Sequence, residues 1–163
     1  MAVQQCIYIR EESNPISAPF DPALEYNIGD LAAFDAAGLV VSGADFTWDT
    51  DLVTTQTDFA TAFAGHIPQY KRLGDVQVYG NGNVESIVVS TSGTYNAPLQ
   101  TVTTLKIGDF LGLAKNPSSN NLLSQIVVKV ATKAAAVGVV VEPGTSLTTA
   151  TFRLLPTVVP FAR

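Results

Sequence analysis

Ile107-Gly108-Asp109-Phe110-Leu111-Gly112-Leu113-Ala114 is the stretch on which the fold turns. Glycine supplies backbone angles closed to other residues, and aspartate hydrogen-bonds its own local backbone. The Gly-Asp pair therefore ends one segment, and the apolar run behind it starts a strand. The same phrase stands at Ile28-Gly29-Asp30-Leu31 and at Leu73-Gly74-Asp75-Val76. The three glycines are 45 and 34 residues apart, too unequal for repeats stacked in register, so they read as corners of one β-rich body.

Outward from these corners, short strand patterns recur. They cover Leu31–Asp35 and Leu39–Ser42 around Ala36-Ala37-Gly38, then Phe110–Ala114, Gln125–Ala131, Ala135–Val141 and Ala150–Leu155. Val76–Tyr79 and Val84–Val89 flank Gly80-Asn81-Gly82-Asn83, where Asn-Gly suits the positive backbone angles of a hairpin turn. One segment, about 53–64, reads as a helix: Thr55 and Asp58 resemble a weak capping box, Phe59 and Phe63 share a face, and Gly65 supplies a stop. Its threonines lower helix propensity, so it depends on docking that aromatic face as a lid over one end of the body.

Both ends of the chain carry prolines. Pro15, Pro19 and Pro22 follow a strand pattern at Gln5–Arg10, and Pro156 and Pro160 interrupt an apolar C-terminal run. Such segments fit poorly inside a ladder, so residues 1–26 and 156–163 are expected to be extended N- and C-terminal arms around a body at 27–155. The fold expected is all-β, a compact barrel or sandwich with one short helix. Apolar arms need a surface, either their own body or a neighbouring subunit. Tyr8, Arg10, Pro15, Pro19, Phe20, Val158 and Phe161 are accordingly the candidate protein-interface residues.

Composition bounds the function. The 163 residues suffice for one domain with a sizeable core, without metal or disulfide staples. Only 14% are charged, and 17 threonines take many of the polar positions, a balance that leans towards a protein burying much of its outside against neighbours. Residues 1–65 carry ten acids and one base, whereas residues 66–163 carry four acids and eight bases. Copies could meet head to tail through these halves, or the halves could neutralise one another within the fold. The net charge of −5 argues against a nucleic-acid binder, and no sufficiently long apolar stretch suggests a signal or a membrane span.

Catalytic sets fail on inventory. A Cys/His nucleophile pair would need Cys6 and His66, the only cysteine and histidine, and a serine triad would need the same histidine without a G-x-S-x-G elbow. His66 follows the expected helix stop, where an imidazole commonly meets terminal carbonyls. Asp45, Asp49 and Asp51 could offer oxygen ligands to calcium, but they lack the alternation, central glycine and distal glutamate of a calcium loop and suit a helix N-terminus. Gly80-Asn81-Gly82 lacks the third glycine and the helix of a dinucleotide fingerprint. Trp48 beside Phe46 could stack a sugar or face the core. No enzyme activity, cofactor or metal is expected.

Several phrases in order resemble one family. They are Tyr26-Asn27-Ile28-Gly29-Asp30 with Gly38, Phe46-Thr47-Trp48-Asp49 leading to Thr54-Thr55-Gln56, Phe59 and Phe63-Ala64-Gly65, Ile107 to Ala114, and the small-residue run Val130 to Val141. Together they are similar to the small decoration, or cement, proteins of tailed-bacteriophage capsids. The likeness spans roughly residues 26–141 and departs at His66-Ile67 and over Ser90 to Leu105. It implies a β-barrel or sandwich, made in the host cytoplasm, that sits on the virion's outer surface. It implies a homotrimer clamping neighbouring copies of the major capsid protein, without touching nucleic acid or membrane. A tail-tube or head-closure subunit, a carbohydrate-binding β module and a small hydrolase are the alternatives.

Overall fold

A computed structural model describes residues 5–10, 14–75 and 86–155. The Gly-Asp corners are three copies of one turn. Asp30, Asp75 and Asp109 each donate a backbone N–H to the carbonyl three residues back, at 3.1, 3.2 and 3.1 Å. Gly29, Gly74 and Gly108 hold positive φ of 100°, 81° and 89°, as the third position of a type II turn requires. Asp30 and Asp109 reinforce it with a carboxylate oxygen 2.8 Å from the amides of Asn27 and Lys106. The second position of each turn, occupied by Ile28, Leu73 and Ile107, points a large aliphatic side chain into solvent.

Two sheets follow from these corners. In the first, β7 (Thr94–Leu105), β11 (Gly144–Leu154), β10 (Gly138–Val140), β8 (Phe110–Lys115) and β9 (Leu122–Val130) lie side by side. A parallel pairing of Leu99 with Val127 returns β9 to β7 and closes a five-stranded barrel. A further strand, β1 (Ile7–Arg10), adds to β7 beside this seam. The second sheet runs β2 (Pro15–Pro19), β6 (Ser86–Ser90), β5 (Phe63–His66), β3 (Leu31–Phe34) and β4 (Val40–Ser42). A bridge between Phe20 and Val40 brings its two outer strands together. The all-β expectation with one short helix is what the structure shows.

The sheets share a wall. Along β3, Leu31 and Ala33 face the barrel core with Leu111, Leu113, Val127 and Phe152, whereas Ala32 faces a second core with Val40, Ile67, Ile87 and Val89. The period of two along a strand makes this division unavoidable once both faces are covered. Phe20 and Tyr26 close the second core, and the Tyr26 hydroxyl donates to the Val40 carbonyl at 2.6 Å. Beneath them the Lys71 ammonium is fully buried, donating to the carbonyls of Pro22, Leu24 and Arg72 at 2.8, 2.6 and 3.0 Å.

The helix α1 (Leu52–Thr61) begins and ends differently from the sequence reading. Its N-cap is Asp51, whose carboxylate accepts from the Thr54 amide at 2.8 Å, and Thr55 lies inside the first turn. Gly65 does not stop it. The helix is over by Ala62, and Gly65 forms a bulge in β5 with φ of 144°. Ala33 pairs with Phe63 and Leu31 with His66, so the bulge absorbs one residue and turns His66 to the barrel side. A Cβ at Gly65 would lie 2.2 Å from the Ser90 carbonyl oxygen, which is why a glycine stands there.

Other boundaries moved too. β7, the longest strand, lies in the Ser90–Leu105 stretch that carried no strand pattern. Residues 135–141 contain only the three-residue β10, preceded by one turn of 3-10 helix at Lys133–Ala135. Residues 76–85, with the first strand of the expected hairpin and its Asn-Gly turn, lie outside the described residues, as do 156–163.

Candidate interaction surface

Within the N-terminal segment, the described parts lie along the outer strands of both sheets of their own body. β2 pairs with β6 from Pro15↔Ser90 to Pro19↔Ser86. Prolines occupy its first and last positions, as an outer strand tolerates. Both prolines are exposed, but the next residue, Phe20, is 5% exposed inside the second core. Its ring is thereby removed from the candidate surface. Val158 and Phe161 lie outside the described residues.

β1 is different. All four residues are exposed, and Ile7, Tyr8 and Ile9 in succession keep 56%, 44% and 45% of their surface open. Successive side chains of a strand point to opposite faces, so both faces of β1 are apolar and wet. Among the described residues the strand pairs with β7, in a short register broken between Tyr8 and Arg10. Tyr8 sets its ring edge-on to buried Tyr95, with centroids 5.6 Å apart. It crosses Gly93, where a Cβ would come within 3.1 Å of the Tyr8 ring. Arg10 reaches Glu142 at 3.2 Å, an exposed pair joining the acidic and basic halves of the chain within one body. The corner carrying Ile28 is tied beside this strand by Gln125. Its side-chain oxygen accepts from the Cys6 amide, and its nitrogen donates to the Ile28 carbonyl and to an Asp30 carboxylate oxygen.

Beneath β1 the structure joins Cys6 and His66, which the sequence gave no reason to pair. His66 is buried with its ring 4.5 Å from that of Tyr95, and its Nε2 lies 3.3 Å from the Cys6 carbonyl oxygen. A carbonyl only accepts, so Nε2 carries the proton, and Nδ1 is a buried lone pair without a partner. The helix-terminus role expected of His66 is replaced by this one, because the Gly65 bulge carries it away from the helix. Burial pushes the imidazole down to about 4, against the smaller opposing effect of the Cys6 contact. Burial, then the charge of Asp30, pushes the Cys6 thiol up. Both groups are neutral near pH 7, the opposite of the thiolate and imidazolium that a cysteine nucleophile needs.

A groove of about 610 Å³ opens between the β3–β4 end of the second sheet, the loop at 45–49 and Asp58 of the helix. Phe34, Phe46 and Trp48 form its apolar walls, with Asp21, Asp35, Asp45, Asp49 and Asp58 around them. Most of these carboxylates are engaged locally. Asp21 accepts from the Ala23 amide, Asp35 from those of Ala37 and Leu39, Asp45 from the Ser42 hydroxyl and Asp49 from Thr50. With Asp51 serving as the helix cap, the Asp45, Asp49 and Asp51 trio is dispersed among separate roles. Among the described residues no three carboxylate, imidazole or thiol groups are placed to share a metal ion. Trp48 is half-buried and carries the Lys115 ammonium 5.1 Å from its ring centroid. A carbohydrate-binding module calls for Trp48 and either Tyr79 or Tyr95 exposed on one face; Tyr95 is fully buried, and Tyr79 lies outside the described residues. Compared with protein-family models and with curated proteins, the chain matches none.

Proposed function

We propose that this protein is a structural component of a tailed-bacteriophage virion, decorating the outer surface of the capsid and bridging neighbouring major capsid subunits, with a homotrimer as its working form. The observation that carries the reading is β1, an outer strand with Ile7, Tyr8 and Ile9 exposed in succession. A monomer that lived alone would blunt such a strand with charge, whereas a protein built to be covered has reason to keep it apolar. The protruding Ile28, Leu73 and Ile107 and the sparse charge add to the same balance. The resemblance over residues 26–141 supplies the kind of assembly. In this reading the protein performs no catalysis, holds no cofactor and touches neither nucleic acid nor membrane.

The mechanism is linkage. A protein that binds only the assembled lattice shifts the equilibrium towards it, and many weakly held copies add up. Sedimentation of purified protein with capsids lacking it, followed by heating, tests this directly. Expected are co-sedimentation at saturating stoichiometry and a higher temperature of genome release; capsids that bind nothing, or release at an unchanged temperature, would overturn it. Native mass measurement separates the nearest rival, since a ring of six favours a tail-tube or head-closure subunit.

A further inference from the structure

His66 is buried more deeply than its role in packing demands. One ring nitrogen is spent on the Cys6 carbonyl, and the other, Nδ1, meets no donor. A proton placed on Nδ1 would create a buried N–H without an acceptor and a buried charge without a counter-ion, both strongly unfavourable. The imidazole is held between β5, which carries it, the Tyr95 ring of β7, and the residue that leads into β1. These covers are unequal. β7 is paired along its length to β11 and also to β9, while among the described residues β1 has a short, irregular pairing to β7 and no buried residue among its four. The element of least local stability opens first.

We infer that residues 5–10 form a flap that mild acid releases, with the His66 imidazole as the trigger beneath it. Lifting the flap breaks the Cys6 contact and lets water reach the ring, so the open form takes up a proton that the closed form refuses. Of the other ionisable groups, those around the ring, Cys6, Tyr95 and Asp30, do not produce this, and Glu142 at the end of the flap is told apart by substitution. Cys6, on the flap, and Tyr95, on β7, are both pushed up by burial and are uncharged in the acid range. Asp30, on the first corner, reaches the flap through Gln125, and its carboxyl is raised by burial. A raised carboxyl binds its proton more readily in the closed form, so its titration opposes release. Arg10, at the end of the flap, pairs with Glu142 in the turn before β11, and protonating Glu142 would remove that pair. β6 and β9 bring the neutral Ser90 and Gln125 to this region. The flap holds whatever surface function β1 has, but the inference does not depend on the capsid reading.

Hydrogen exchange of the isolated full-length protein between pH 7 and 4, corrected for the intrinsic rate, tests the inference. With His66 moving from about 4 when closed to its ordinary 6.5 when open, the opening constant of residues 5–10 is expected to rise about tenfold per pH unit below 6.5. The rise from pH 7 reaches roughly 120-fold at pH 4, where the closed form is itself half protonated. Peptides from β8 and β9 stay protected. Cys6, the only cysteine, gains reactivity in step towards 4,4′-dithiodipyridine, a probe that works in acid. His66→Gln keeps a donor for the Cys6 carbonyl and cannot titrate, so its flap stays closed to pH 4. Acid release persisting in that variant would assign the effect to Glu142 and overturn the trigger. If that variant fails to fold, Glu142→Gln decides: acid release that persists without the Glu142 carboxylate keeps His66 as the trigger, and release abolished by it overturns the trigger. Flap protection that does not fall with pH, or that falls together with β8 and β9, overturns a local release.

Discussion

The side-chain amide of Gln56 donates to the carbonyl of Leu113 across 2.6 Å, a buried bond that pins the helix to a barrel strand. Gly112, next to Leu113 in the strand, leaves room for the 3-10 turn beside it, because a Cβ there would lie 2.6 Å from the Ala135 carbonyl oxygen but an ordinary 3.5 Å from Gln56 Nε2. Gln56→Leu fills similar space but leaves that carbonyl unmet. It is expected to cost about 1–3 kcal/mol in urea unfolding. A variant as stable as wild type would show that water replaces the amide.

Lys71 performs the same service for three carbonyls at once, with its ammonium also 5.3 Å from the Phe20 ring centroid. Lys71→Met keeps most of the stem and loses the donors, for an expected cost of about 2 kcal/mol. Lys71→Ala adds a cavity and costs about 3 kcal/mol or more. The order Met above Ala in melting temperature checks the separation of the two effects.

Gly65 cannot be replaced. With positive φ and the Ser90 carbonyl where a Cβ would go, Gly65→Ala must shift β6 or open the bulge. A loss of about 3 kcal/mol or more is expected, readable as a fall in the denaturant midpoint. A neutral result would mean that β5 and β6 part easily.

Asp51 caps the helix, and its bonds to the Thr54 amide and hydroxyl hold its carboxyl below the ordinary aspartate value. A depressed carboxylate stabilises above the unfolded-state pKa and loses that contribution as pH falls through its folded value. Asp51→Ala should therefore lower the melting temperature at pH 6, Asp51→Asn less so, and the gap from wild type should shrink towards pH 3.

Ile7→Lys combined with Ile9→Lys places charge on a strand that is already in water, so stability should change by no more than about 0.5 kcal/mol per site. Binding to capsids should be lost. A double variant that still saturates the shell would move the contact surface elsewhere.

Much of the fold could be read from short patterns because its turns are local. The Gly-Asp corners and the strands β3, β4 and β8 lie where glycine, aspartate and apolar alternation put them, within a residue or two. β7 was hidden by its threonines and by Pro98, which looks forbidden in a central strand. Pro98 falls between the residues that pair with β1, ending at Asn96, and Leu99, which pairs with β9. It pairs with Thr149 at the edge of a register shift, beyond which β7 and β11 resume at Thr103 and Leu147. Gly65 was misread because a helix stop and a strand bulge ask the same thing of a residue. The Cys6–His66 contact joins positions 60 residues apart through a backbone oxygen, and no side-chain pattern can announce that.

The alternation Leu31, Ala32, Ala33 along β3 leaves a partition one residue thick between the two cores. Neither compartment can melt and leave the other intact, since losing one strips the supporting face from the strand that bounds its neighbour. Calorimetry should accordingly record a single endotherm, with van't Hoff and calorimetric enthalpies equal. Whatever force reaches one half of this molecule is felt in the other.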